Sequence, residues 1–213
     1  MKAENGMTAT PVQPIVSPFY DRDGITIYCG DARDILPALV FDAILTDPPY
    51  PNYKEAEYHY QPDGLECLRA IGCPQAIFWT PCHPFPLDWR GMICWDKAAG
   101  NKNSQFEIVY QRNWTTGAKL WRYMTPHNSV RANWCGDVCN EHPSQKPIQL
   151  MKKLVAEFGD VRTICDPFCG SGSTLLAAKL AGVAAIGIEV ERKWCEIAVQ
   201  RLRQGVLDFG SEG

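Results

Sequence analysis

A single α/β domain with a mostly parallel central sheet is the architecture this 213-residue sequence predicts, and three observations predict it. A strand, a glycine-rich loop, a helix and a second strand follow one another between Val161 and Ile188, which is a βαβ unit. Short apolar runs bounded by Gly, Pro or Asp recur before it, as expected of buried strands. The composition, 46% hydrophobic and 21% charged, is that of one well-buried core in a chain too short for two comfortable domains.

Taken in chain order, residues 1–18 are polar and rich in Pro, Thr and Ser without periodicity, and are expected to be a flexible tail. Residues 19–213 are expected to be the single domain. Ile25 to Cys29 reads as a short buried strand, after which Gly30-Asp31 turns the chain into a helix from about Arg33 to Leu39. Phe41 to Thr46 is the next strand. It stops at Asp47-Pro48-Pro49-Tyr50, because prolines cannot donate to a sheet ladder. Ala76 to Trp79, Met92 to Trp95 and Phe106 to Tyr110 are further strands whose order in a sheet periodicity does not reveal.

After Pro147, the stripe Ile148, Met151, Leu154, Val155 and Phe158 predicts an amphipathic helix stopped by Gly159. Val161 to Cys165 is a strand, Gly170 to Gly172 a tight loop and Ser173 to Ala181 a helix. Val183 to Ile188 is another strand and Glu191 to Gln204 a last helix ended by Gly205.

No apolar run is long enough to span a bilayer, and no basic start with an apolar signal core opens the chain, so a cytoplasmic protein without a membrane partner is expected. The ten cysteines do not suit a secreted disulfide framework, because Cys29, Cys94 and Cys165 lie in strand-like runs; reduced thiols are expected. Cys135, Cys139 and His142 have metal-ligating side chains but no fourth ligand nearby, and no metal site is assigned.

Two constellations carry chemistry. In Asp166-Pro167-Phe168-Cys169-Gly170-Ser171-Gly172-Ser173-Thr174, two glycines between a strand and a helix let a ligand approach the backbone. Glu189, at the end of the following strand, stands where a carboxylate accepts hydrogen bonds from both ribose hydroxyls. A dinucleotide site would need a third glycine, and Ser173-Thr174-Leu175 stands there instead.

The string resembles the Asp-Pro-Phe-x-Gly-Ser-Gly loop of DNA amino-methyltransferases. The resemblance implies S-adenosylmethionine as cofactor, with Phe168 flanking it, Asp166 near its methionine part, and Gly170, Gly172, Ser173, Thr174 and Glu189 completing the site. Asp47-Pro48-Pro49-Tyr50 matches the same family's catalytic tetrapeptide. An aromatic amine is a poor nucleophile, since its lone pair is delocalised into the ring; acceptors on its N–H groups localise that pair. Asp47 and the Pro48 carbonyl would be the acceptors, Pro49 would help fix the carbonyl's direction, and Tyr50 would stack on a base extruded from the duplex. Pro81-Cys82 superficially matches the Pro-Cys of cytosine C5 enzymes, but the neighbouring motifs of that family are missing.

Tyr28-Cys29-Gly30-Asp31 looks like the family's Gly-Asp element, in which Asp31 would meet the cofactor's adenine; a helix cap is the equally common role. His142-Pro143-Ser144-Gln145-Lys146-Pro147 is similar to the family's His-Pro-Thr-Gln-Lys-Pro element. It makes Ser144 and Lys146 candidates for the cofactor's carboxylate. The catalytic tetrapeptide precedes the cofactor loop, the order of the beta subgroup. The implied fold is therefore a circularly permuted, Rossmann-like methyltransferase fold with helices on both faces.

The formal net charge of −3 conceals a basic stretch: Lys97, Lys102, Arg112, Lys119, Arg122 and Arg131 stand among few acids. Phe106, Tyr110, Trp114, Trp121 and Tyr123 are interleaved, fitting either base stacking or strand cores. Residues 97–140 are accordingly expected to form a small target-recognition insertion, and the six cations to contact double-stranded DNA.

The sequence-level expectation is a DNA adenine-N6 methyltransferase. Cytosine-N4 is the alternative, because it presents the same kind of amine; family members acting there more often carry Ser at the position of Asp47, which tilts the choice to adenine. An RNA amino-methyltransferase and a catalytically silent nucleic-acid-binding protein rank lower. A homodimer is compatible with the subgroup.

Overall fold

The computed structural model describes residues 17–49, 65–97, 105–123 and 145–204, which form one nine-stranded sheet with helices on both faces. The elements run β1 (Tyr20–Arg22), β2 (Ile25–Cys29), α1 (Ala32–Ile35) with a 3₁₀ turn at Leu36–Ala38, β3 (Ala43–Thr46) and α2 (Glu66–Arg69). Then come β4 (Gln75–Trp79), β5 (Gly91–Asp96), β6 (Phe106–Arg112), β7 (Ala118–Arg122), α3 (Ile148–Glu157), β8 (Thr163–Asp166), α4 (Ser173–Leu180), β9 (Ala184–Glu189) and α5 (Arg192–Gln204). The expected tail lies outside the described residues except for its last two.

Sheet order is β1-β2-β9-β8-β3-β4-β6-β5-β7. The five strands from β2 to β4 are parallel, whereas β6 runs antiparallel between β4 and β5. The expected strands all form. Thr163 replaces Val161 as the start of β8, and β3 opens at Ala43 because the Asp42 carboxylate turns back to accept the Arg162 and Thr163 N–H groups, each at 2.9 Å.

β1, α2 and β7 were not expected. The β1–β2 hairpin has its signal in Asp23-Gly24, both at positive φ, the chemistry of a tight two-residue turn. The 97–140 stretch is not simply an insertion: its residues 106–112 and 118–122 are strands of the main sheet, zipped onto β4 and β5.

Strand alternation sorts the core onto the two faces. Ala43 and Leu45 of β3, with Phe78, Ile93, Trp95, Val109 and Trp121, pack on Leu150, Met151, Leu154 and Val155 of α3. Ile44, Ile77, Trp79, Cys165 and Ile188 point the other way, onto Ile35, Leu36, Leu65 and Leu68. A third cluster joins β2 to α4 and α5 through Ile27, Leu175, Cys195, Ala198 and Leu202. Fully burying such a side chain contributes about 1.5–3 kcal/mol. The eight cysteines among the described residues are all free.

β8 and β3 are parallel neighbours, and the chain leaves them in opposite directions across the sheet, to β9 from one and to β4 from the other. The carboxyl ends of such a divergence form a crevice where doubly wound sheets hold ligands. Asp166 ends β8 and Asp47 follows β3.

Candidate active site

The divergence brings the two motifs together. Asp166 is buried, and its Oδ1 accepts the Thr46 hydroxyl at 2.7 Å and the Phe168 N–H at 3.1 Å. Thr46 is the residue before Asp47, so the cofactor-loop strand is bonded to the last turn of backbone before the tetrapeptide. Burial pushes the Asp166 carboxyl up to about 6, against the hydrogen bonds from Thr174 and Thr46. Thr174 also places its hydroxyl 3.5 Å from the Leu45 carbonyl of β3.

The loop is shaped by its glycines. Gly170 and Gly172 have φ of 49° and 81°, and a Cβ on Gly172 would lie 2.9 Å from Ala198 Cβ. Arg201 of α5 is buried under the loop, its Nη1 2.5 Å from the Ser171 carbonyl, 3.2 Å from the Ser171 hydroxyl and 3.4 Å from the Ser173 hydroxyl. Glu189 at the end of β9 accepts the Gly170 N–H through Oε2 at 3.0 Å and the Glu191 N–H through Oε1 at 2.8 Å. Burial raises its carboxyl to about 7, although these N–H groups favour the charged form. Each oxygen keeps lone pairs for further donors, such as the hydroxyls of a ribose.

Asp31 caps α1: its Oδ1 accepts the Arg33 N–H at 2.8 Å, and the carboxylate is paired with the Arg33 guanidinium. Bonding to Arg33 holds this carboxyl below the ordinary range, against partial burial. Phe168 is half-buried beside Asp166.

Lys146 goes elsewhere than the cofactor loop. Its side chain is 8% exposed, and its Nζ is bonded to Asp47 Oδ2 and lies 3.2 Å from Glu107 Oε2, over the Phe78 ring at 5.0 Å. Among the described residues, the buried atoms Asp47 Oδ1, Glu107 Oε2 and both amide atoms of Gln145 have no hydrogen-bond partner. Burial raises the Asp47 carboxyl; Lys146 opposes the rise and Glu107 adds to it. Pro48 is buried and Pro49 half-buried. Tyr50 and Ser144 lie outside the described residues.

Of the expected DNA-contacting cations, Arg112 is corrected. Its side chain is 3% exposed, and it donates to Asp88 Oδ1 at 2.7 Å, Gln75 Oε1 at 2.8 Å and the carbonyls of Asp88 and Leu68 at 2.8 and 3.0 Å. Register explains this, since Arg112 pairs with Gln75 at the inward end of β6. Lys97 is half-buried and paired with Glu107, and Lys119 is paired with Glu157. Arg122 is 74% exposed and paired with Asp96. Lys102 and Arg131 lie outside the described residues, as do Cys135, Cys139 and His142. Most of the interleaved aromatics are core: Trp121 is buried, Trp114 stacks on Phe158 and Tyr110 on Phe85, while Phe106 is exposed.

Thr46, Arg201, Gln145 and Glu107 are site residues that sequence reading missed. Gln145 had a signal, its place inside the His-Pro-Ser-Gln-Lys-Pro element. Glu107 had a weaker one, as a lone acid among cations in an apolar alternation.

A family of N6 and N4 methyltransferases described as "DNA methylase" matches residues 95–200, the span that holds β6, Lys146, the cofactor loop and Glu189. The chain belongs to this DNA amino-methyltransferase family. Among its relatives, the type II methyltransferase M.ScaI of Streptomyces caespitosus is 23% identical over 87% of this chain and 83% of its own length. Others at 38–40% identity align over about a quarter of their own length.

The family's fold is the one described above. The M1.HpyAVI–SAM complex superposes with a TM-score of 0.59 at 24% identity, covering 84% of this chain and 98% of that one. The PvuII methyltransferase, titled cytosine-N4-specific, gives 0.59 at 13% identity over 82% and 85%. The fold is thus that of S-adenosylmethionine-dependent DNA methyltransferases, with β3 and the Asp47-Pro48-Pro49 turn ahead of β8 and the glycine loop in the chain. Among the described residues, no helix is long and apolar enough to cross a membrane.

Proposed function

We propose that this protein transfers a methyl group from S-adenosylmethionine to the N6 amine of adenine in double-stranded DNA, as a cytoplasmic enzyme of a restriction-modification setting. The observation that carries the reading is the state of Asp47: one oxygen held by Lys146, the other buried and without a hydrogen-bond partner among the described residues, at the carboxyl end of β3 beside the cofactor loop. A buried acceptor without a donor is costly, and such groups mark functional positions.

The residues fit the cofactor. The Gly170–Gly172 turn, with both glycines at positive φ, opens α4 at the carboxyl end of β8, Glu189 retains lone pairs suited to a ribose diol, and half-buried Phe168 offers a flanking ring. S-adenosylmethionine held by these residues would supply an electrophilic sulfonium methyl to the amine, with the thioether as leaving group. Asp47 Oδ1 accepts an amine N–H, which localises that lone pair, and the Pro48 carbonyl is its companion acceptor. Once nitrogen is methylated, its surplus proton leaves through Asp47 to water. Tyr50 stacks on the extruded base, and Lys102, Arg122, Arg131 and Lys119 are the cations left to meet phosphate.

Cytosine N4 is the second reading, favoured by the likeness to PvuII methyltransferase. Asp47 in place of serine supports adenine. The test supplies labelled S-adenosylmethionine and unmethylated duplex DNA and identifies the modified nucleoside. N6-methyladenine is expected; N4-methylcytosine would keep the reaction and change the base, and label in RNA alone would change the polymer. No label despite bound cofactor would leave a silent binding protein. Asp47→Ala is expected to abolish transfer and spare cofactor binding, and sedimentation with and without DNA tests a homodimer.

A further inference from the structure

β6 alternates in burial, and its inward positions Val109 and Gln111 face the core. Glu107 occupies the same face. A carboxylate there is expensive to bury, and it is retained with two cations: Lys97 Nζ 2.5 Å from Oε1 and Lys146 Nζ 3.2 Å from Oε2. Burial would raise the Glu107 carboxyl, but the two ammonium groups hold it below the ordinary glutamate range. The result is an alternating row, Lys97, Glu107, Lys146 and Asp47, that starts at the end of β5 and ends at the catalytic turn. Its formal charge is zero.

For packing alone, this row is a poor choice, since buried ion pairs are commonly matched or surpassed in stability by apolar side chains of similar volume. Its geometry does something that apolar residues would not. Lys146 is a flexible stem with a point charge, and one carboxylate would leave its ammonium free to swing. A second carboxylate, ion-paired from a rigid central strand, fixes it between Asp47 and Glu107, over the Phe78 ring at 5.0 Å and the Trp95 ring at 6.0 Å.

We propose that Glu107, anchored by Lys97, is a positioning residue for methyl transfer, holding the Lys146 ammonium on Asp47 Oδ2 so that Oδ1 faces the target amine. This rests on the reaction proposed above. The charged groups facing Asp47 are Lys146 ahead of α3, Glu107 on β6, Lys97 after β5 and Asp166 on β8. Glu107 makes Asp47 harder to ionise and Lys146 makes it easier, so removing each moves the acid limb of the rate in opposite directions. A residue without charge coupling to Asp47 would move neither, and the plateau of the charge-conserving Glu107→Asp reads the positioning itself.

The experiment measures the single-turnover rate of methyl transfer against pH, at saturating cofactor and DNA. Glu107→Gln is expected to lower the plateau about tenfold and shift the acid limb about one unit to lower pH, with cofactor affinity unchanged. Lys146→Gln is expected to shift the limb upward. Glu107→Asp keeps the charge but draws it back, so the limb stays while the plateau falls several-fold.

An unmoved limb in Glu107→Gln, a shift of both variants in one direction, or a wild-type plateau in Glu107→Asp would overturn the proposal. Should melting and cofactor binding show that Glu107→Gln does not fold, Lys97→Gln/Glu107→Gln removes one charge of each sign and is expected to shift the limb downward by less, since Lys97 makes Asp47 easier to ionise but acts on it more weakly than Glu107. If wild type transfers no methyl, the reaction itself is wrong; a normal wild type with failed Glu107 predictions sinks only this inference.

Discussion

At the residue scale, the site holds carboxyl groups at unequal readiness to ionise. Glu189, raised to about 7 by burial, binds a proton in the folded chain that the unfolded chain has already lost. Between an ordinary value of 4.5 and about 7 the folded state therefore holds more protons, so this group makes stability fall as pH rises across that window and level off above it. Glu189→Gln is expected to melt higher than wild type at pH 8, by on the order of 2 kcal/mol, and equally at pH 4. The same ionised form is the better acceptor for two hydroxyls. Titration calorimetry should find cofactor affinity rising through pH 7 in wild type; a flat profile would remove Glu189 from the cofactor site.

At the scale of elements, the loop between β8 and α4 is held from below by α5. Arg201 reaches Ser171 and Ser173, and Ala198 fills the space a Gly172 side chain would need. Gly172→Ala adds a Cβ 2.9 Å from Ala198 Cβ at a φ of 81°, and is expected to cost about 2 kcal/mol in denaturant unfolding and to weaken cofactor binding. Arg201→Met should keep α5 helical by circular dichroism yet weaken cofactor binding about tenfold, because unpaired Ser171 no longer fixes the turn. Unchanged affinity would show that the loop holds its shape unaided. α1 is simpler, a short helix capped by Asp31 as its sequence allows.

At the scale of the whole molecule, the distribution of charge matters more than its total. The basic stretch between Lys97 and Arg131 divides into cations turned inward, such as Lys97 and Arg112, and cations left outside, such as Arg122. Arg112→Met is expected to cost about 3 kcal/mol, since it strands the Gln75 amide and buried carbonyls, while leaving the salt dependence of DNA binding unchanged. Arg122→Ala should be neutral for stability and lower the slope of log K against log salt by about one. The opposite pattern would return Arg112 to the DNA surface.

The elements themselves were legible because strands and helices answer to local rules. Pro48 and Pro49 had to end a strand, Gly159 had to end a helix, and two glycines before Ser173 had to open one. Both motifs are runs of adjacent residues, and their resemblance to DNA amino-methyltransferases is what implied the permuted fold. Glu107 and Arg112 read as an isolated acid and a DNA-binding cation because which face of β6 is buried depends on its partners. Only the pairing of β6 between β4 and β5, and the divergence of the chain at β8 and β3, put Glu107 beside Lys146 and Lys146 on Asp47. Those contacts join residues far apart in the chain. Sequence alone thus determined most of the elements, the two loops and, through family resemblance, the type of chemistry; β1, α2, β7 and the burial and pairing of each charge were decided by the tertiary structure, because dielectric and partner are properties of the assembled sheet.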